Sequence, residues 1–127
     1  MSLPPWQRPP NTAPPDPVTD EVRALVRLRS GNKCELCGGA AQHLHHRQLR
    51  RAGDHSAANL VHLCHLCHRR VHGHVRWSTD EGWLVSQYAE PASVPVCMGE
   101  TWVRLGADGS RTAVSGPFGT VESPHSA

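Results

Sequence analysis

Apolar residues recur every three to four positions in the segment that follows a proline-rich start. Val22, Leu25 and Val26 have this spacing, and the acidic pair Asp20-Glu21 precedes them. Acidic side chains in the first turn stabilise a helix through its dipole. The pattern predicts a short amphipathic helix from about residue 19 to residue 30.

Two short apolar runs, residues 42–47 and 60–63, follow this helix and are joined by a polar loop that contains glycine. This arrangement predicts a β-hairpin. Beyond it, residues recur at steps of three and four at His68, Val71, His72 and Val75. That period is helical and predicts a second helix over about residues 67–76.

The remaining apolar runs are short and lie between turn residues. They predict three strands of a small sheet, at Trp83–Val85, Trp102–Leu105 and Thr112–Val114, with a turn at Asp108-Gly109. The expected fold class is therefore a small α+β domain with an N-terminal helix and short C-terminal strands.

Seven of the first 17 residues are proline, which disfavours regular structure there. We therefore expect four regions. They are a disordered tail (1–18), a core (19–78), a C-terminal β extension packed on that core (79–114) and a second disordered tail (115–127).

Composition narrows the class of protein. Apolar residues make up 38% of the 127 residues, so we expect a single domain with a thin core. No run approaches the roughly 20 apolar residues of a membrane span, and the N-terminus lacks the charged segment followed by an apolar segment that is typical of a signal peptide. We expect a soluble cytoplasmic protein with no membrane partner. Five cysteines and ten histidines indicate metal binding.

The net charge of +2 conceals a basic segment. Residues 23–76 contain ten Lys or Arg and two acids, so this segment carries +8, and it includes nine of the ten histidines. Such a field attracts polyanions. Twelve of the 13 basic residues are arginine, which binds phosphate through two parallel hydrogen bonds. The segment favours nucleic-acid binding over the alternative of a solvated basic face.

The cysteine spacing is the most specific pattern in the chain. Cys34-x2-Cys37 and Cys64-x2-Cys67 each present two thiolates from a tight turn, and two such turns supply the four sulfur ligands of a structural Zn²⁺ site. The interval between the turns is 26 residues, longer than the roughly 15 to 20 of a plain zinc ribbon. The hairpin is therefore an insertion.

Two other interpretations of the cysteines are weaker. Disulfides would require a secreted protein and would leave Cys97 over, which we interpret instead as a small buried apolar residue. The run Cys64-His65-Leu66-Cys67-His68 also matches the haem attachment pattern, which normally accompanies export.

The histidines suggest a second, open metal site. His68 and His72 stand four residues apart, so a helix places both imidazoles on one face, where they can bind one ion. His45 or His46 could complete a three-nitrogen set with open positions for water and substrate, and the other could act as a general base. His43 shares a strand face with His45 and is an alternative for either role.

Several of these motifs occur in a familiar order. His45-His46-Arg47, Asn59-Leu60-Val61 and Cys64-x2-Cys67-His68-x3-His72 lie within about 39 residues that start at Cys34. This succession resembles the HNH endonucleases, a ββα-metal (treble-clef-like) nuclease group, in the restriction-type and phage-type version that has a four-cysteine zinc.

The resemblance implies a DNA endonuclease with little sequence specificity. His46 would be the general base that activates water, and Asn59 would tie down the active-site loop. A catalytic divalent ion (Mg²⁺, Mn²⁺, Ni²⁺ or Zn²⁺) would be held by His45, His68 and His72, and the structural Zn²⁺ by Cys34, Cys37, Cys64 and Cys67. Phosphate contacts would come from Arg47, Arg50, Arg51, Arg69 and Arg70.

The alternative function is a zinc-dependent DNA-binding module without catalysis. The two functions differ at His46 and Asn59, which a pure binder does not need. Phage DNA packaging or maturation, restriction and mobile-element activity would all use this site. The phage-type resemblance favours the first, in a bacterium or phage-infected cell, with a packaging or other DNA-processing protein as partner.

Overall fold

The computed structural model describes Trp6, residues 16–49 and residues 52–117. Most of the expected N-terminal tail, most of the expected C-terminal tail, and Arg50 and Arg51 lie outside these ranges. Val18 is buried against the first helix, and the Asp16 side chain accepts a hydrogen bond from its amide. The packed domain therefore begins earlier than the expected boundary at residue 19.

The predicted N-terminal helix is confirmed as α1 (Asp20–Ser30). Thr19 caps it, because its hydroxyl accepts a hydrogen bond from the amide of Val22 at 3.2 Å. Gly31 ends it in the left-handed conformation at φ 64°, which glycine adopts without a steric penalty.

The predicted hairpin is also confirmed. Strands β1 (His43–His46) and β2 (Leu60–Leu63) pair antiparallel, with His45 opposite Val61. Helix α2 (His65–Gly73) follows β2 directly and starts two residues before the prediction, because Cys64 caps it.

The prediction of one helix up to residue 76 is wrong. The chain leaves helical geometry at His74 (φ −132°, ψ 68°), and a separate helix α3 (Val75–Asp80) begins there.

The C-terminal strands form an antiparallel sheet in the order β3 (Val96–Met98), β4 (Thr101–Leu105), β5 (Arg111–Val114). The predictions for β4 and β5 are confirmed, and β3 was not predicted.

The prediction of a strand at Trp83–Val85 is wrong. The amides of Trp83 and Leu84 both bond to the carbonyl of Ser78 instead of a strand partner, and Trp83 is buried in the core.

Two apolar clusters form the core. One combines Cys34 and Cys67 with side chains from β2, α2 and the C-terminal sheet, and the other packs α1 against Ala57 and Leu60. The C-terminal sheet thus covers the hairpin and the cysteine turns. In the part of the chain that the structure describes, no helix has the length and apolar character of a membrane span.

A buried ion pair links these parts. Arg29 donates two hydrogen bonds to Glu35, at 2.8 and 3.0 Å, and both side chains are 1% exposed. The same guanidinium donates to the carbonyls of Ala57 and Leu60. Helix α1, the first cysteine turn and β2 are therefore joined by a single side chain.

Candidate metal centre and active site

The two cysteine turns meet beside the core. Their four Sγ atoms all lie within 4.8 Å of one another, and those of Cys37 and Cys64 are 3.7 Å apart. A Zn–S bond of about 2.3 Å places neighbouring sulfurs of a tetrahedron about 3.8 Å apart. The cluster therefore fits a tetrahedral ion. All five cysteines of the chain are free, so the disulfide interpretation is not supported.

Backbone amides prepare this cluster for a cation. The amide of Cys37 bonds to the sulfur of Cys34, and the amide of Cys67 bonds to that of Cys64, both at 3.4 Å. Burial raises the pKa of the Cys34 thiol, but hydrogen bonds from backbone amides outweigh burial and bring this pKa to about 7. One sulfur is thus readily converted to the thiolate that binds metal.

Three histidines form a second cluster, His45 on β1 and His68 and His72 on successive turns of α2. One ring nitrogen from each lies within 4.8 Å of the others. The Nε2 atoms of His68 and His72 are 3.1 Å apart, close to the roughly 3.3 Å expected between two nitrogens bound tetrahedrally to Zn²⁺. Three protein ligands leave coordination positions open, as in catalytic metal sites.

The orientation of His45 is fixed by a backbone carbonyl. Its Nε2 lies 2.9 Å from the carbonyl oxygen of Trp83, which can only accept, so Nε2 carries the proton and the lone pair is on Nδ1. Burial, helped by the nearby His72, His68 and His46, lowers the pKa of His45 to about 4, although the hydrogen bond to the Trp83 carbonyl raises it. At neutral pH the imidazole is therefore in the uncharged form that binds metal.

The lowered pKa predicts acid sensitivity. An unfolded histidine has a pKa of about 6.5. As the pH falls from there towards 4, the unfolded chain takes up a proton that folded His45 does not. The free energy of unfolding should therefore fall by up to about 1.4 kcal/mol per pH unit from this residue, with no effect above pH 6.5.

Urea unfolding across this pH range checks the expectation, with one equivalent of zinc present. His45→Gln keeps a donor for the Trp83 carbonyl but cannot be protonated, so its stability should fall less steeply than that of the wild type. His74→Gln provides the control, since it makes the same exchange at an exposed position outside the three-histidine cluster. Equal slopes for His45→Gln and the wild type would contradict the expectation.

His46 lines the same cavity as the three-histidine cluster. The cavity is about 400 Å³ and is lined by Leu44, His45, His46, Leu49, His68 and His72. Consecutive residues of a regular strand face opposite sides, but β1 ends at His46. Both neighbours therefore reach one cavity.

His46 also contacts a residue that the sequence did not identify. Its Nε2 lies 3.1 Å from Nδ1 of His55, and the two rings meet edge to face. His55 sits on the loop between β1 and β2, with no spacing pattern that links it to His46. Only the folded loop brings the two together.

Asn59 ties that loop down. It is fully buried, its Oδ1 accepts from the amide of Gln48 at 2.8 Å, and its Nδ2 donates to the carbonyls of Gln48 and Asp54 at 3.2 and 2.7 Å. These bonds close the loop that carries His55. They are the contacts that the expected tethering role requires.

Arg47 corrects the expected set of phosphate contacts. Its side chain is 1% exposed, and its guanidinium donates to the carbonyls of Gly82, Ala58, Pro91 and Val94. Burial lowers its pKa, and the nearby Arg29 lowers it further. Arg47 cannot reach a phosphate in this structure and instead holds the C-terminal extension against the hairpin.

The other expected phosphate contacts differ in position. Arg69 and Arg70 are exposed on α2, and Arg70 lies over the ring of Trp77, 4.3 Å from its centroid. Arg50 and Arg51 lie outside the described residues.

His43 stands beside the three-histidine set without belonging to it. Its ring stacks on that of His68, with centroids 4.9 Å apart, and its Nε2 lies 3.3 Å from Nδ1 of His65. The structure therefore places His45, not the alternative His43, with His68 and His72.

Comparison with protein-family models, with curated proteins and with solved structures finds no match to this chain.

Proposed function

We propose that this chain is a metal-dependent endonuclease of the HNH kind that hydrolyses DNA phosphodiester bonds with little sequence specificity. The observation that carries the proposal is the cavity that His46 shares with His45, His68 and His72. A module that only binds DNA has no need for an imidazole base beside an open set of metal ligands. The chain order β1, β2, α2, in which β1 and α2 line this cavity, is the ββα order of the HNH group.

Each residue has a distinct task in the proposed reaction. His46 accepts a proton from water, and the water oxygen attacks phosphorus as the bond to the 3′ oxygen breaks. A divalent ion held by the three histidines would stabilise negative charge on the phosphate and the leaving oxygen. An all-imidazole set suits Zn²⁺ or Ni²⁺ better than Mg²⁺.

The surface around the cavity supports a polyanionic substrate. Exposed Arg69 and Arg70 lie on α2, the helix that also carries His68 and His72. Contacts to phosphate fix the position of DNA without reading its sequence. We therefore infer weak sequence preference and binding that weakens steeply with salt.

Cleavage of supercoiled plasmid at low salt tests this function. Zinc-loaded wild type should nick the plasmid when Mg²⁺, Mn²⁺, Ni²⁺ or Zn²⁺ is added, and His46→Ala should lose at least about 10²-fold in rate. His74→Ala removes an exposed imidazole outside the cavity and should keep full activity. Circular dichroism of each variant verifies that the fold is retained.

Two outcomes would overturn the proposal. One is cleavage by His46→Ala at the wild-type rate. The other is a folded wild type that shifts DNA on a gel but shows no cleavage with any of the four metals, which would assign the chain to zinc-dependent DNA-binding modules.

A further inference from the structure

His43 and His65 lie beside the three-histidine cluster, and the ring of His43 stacks on that of His68. We propose that these two imidazoles form a second, weaker site for a divalent transition-metal ion. This inference does not depend on DNA cleavage.

The distance between the donors fits a chelate. His43 Nε2 and His65 Nδ1 are 3.3 Å apart, the separation of about 3.3 Å that two nitrogens have when they bind Zn²⁺ tetrahedrally. His43 is half-buried and His65 is exposed, so water can reach the ion and complete its coordination. Imidazole donors without a carboxylate select Zn²⁺, Ni²⁺ or Cu²⁺ over Mg²⁺.

Neighbouring groups hold the His43 ring and the His65 backbone in place. His43 stacks on His68 with an interplanar angle of 28° and pairs with Leu63 across the hairpin. The amide of His65, the first residue of α2, donates to the side-chain oxygen of Gln42 at 2.8 Å. An ion would therefore have to order little of the chain on binding, which reduces the entropic cost.

The same surroundings make this site the weaker one. Only two protein ligands are present, and the N-terminus of α2 carries partial positive charge that disfavours a cation. An ion in the three-histidine cluster also repels a second ion across the His43–His68 stack. The second ion should therefore bind only after the first, at higher metal concentration.

Calorimetric titration with Ni²⁺ of protein that holds one equivalent of zinc tests the site. Wild type should bind two equivalents in two classes, whereas His65→Ala should bind one fewer and keep the tighter class. His43→Ala should show the same loss, because it removes the other donor. His74→Ala, which deletes an exposed imidazole elsewhere, should bind both equivalents.

The readout is metal stoichiometry, so the test gives the same answer whether or not the protein cleaves DNA. A wild type that binds one equivalent would overturn the second site. So would variants at His43 and His65 that both bind as much Ni²⁺ as the wild type.

Discussion

Replacing Cys67 with serine should unfold the domain at neutral pH. The apparent binding energy of structural zinc is about 10 to 16 kcal/mol in zinc-finger peptides, and a small domain has only about 5 to 15 kcal/mol of total stability. Cys67 is 7% exposed and packs in the larger apolar cluster. Loss of this sulfur should therefore remove both the ion and the packing that the ion would hold together.

Thermal unfolding by far-ultraviolet circular dichroism, with zinc content measured in parallel, checks this expectation. Cys97 offers a matched control because it lies outside the four-cysteine cluster. Burial and the neighbouring Glu81 raise the pKa of its thiol to about 11, so it stays protonated at neutral pH. Cys97→Ser should keep one zinc and a cooperative transition. A zinc-free Cys67→Ser with the wild-type melting temperature would show that the ion is dispensable for folding.

Local spacing accounts for what the sequence predicted well. Helix α1 follows from its capping residue and its apolar period, and the hairpin follows from two short runs of strand residues. The spacing of the paired cysteines and the four-residue step from His68 to His72 place side chains that can bind metal next to each other. In each case the deciding residues are close in the chain or repeat one simple interval.

Long-range contacts account for what the sequence did not show. Trp83 lies in a run of residues typical of strands, but its side chain enters the core. Its carbonyl accepts a hydrogen bond from His45, 38 residues earlier in the chain. The buried pair of Arg29 and Glu35 looks in the sequence like ordinary surface charge. His55 meets His46 only because Asn59 closes the loop between them. No interval in the chain encodes these contacts, since they depend on how distant elements pack.

Arg47 shows the largest difference between expectation and structure, because the sequence places it among the phosphate contacts and the structure places it in the core. Gly82, one of its partners, has φ 84°, and a Cβ there would lie 2.0 Å from the carbonyl oxygen of Pro95. Glycine thus permits the close approach that brings its own carbonyl to Arg47 at 2.8 Å. Among the described residues of the basic segment, Arg29 and Arg47 are therefore buried and do not add to its exposed surface.

Arg47→Met should consequently act on stability. Methionine retains much of the apolar stem but leaves four carbonyl oxygens without the guanidinium donors. We expect the free energy of unfolding to fall by about 3 to 5 kcal/mol. Urea denaturation of the zinc-loaded protein measures this loss.

The matched variant Arg69→Met tests the opposite role, since Arg69 is exposed on α2. It should change stability by less than about 0.5 kcal/mol and should reduce the salt dependence of DNA binding by about one phosphate contact. If Arg47→Met were as stable as the wild type and weakened DNA binding instead, Arg47 would be a phosphate ligand after all. If Arg47→Met loses much stability and Arg69→Met does not, Arg47 belongs to the core and Arg69 to the surface, although both are basic residues of one segment.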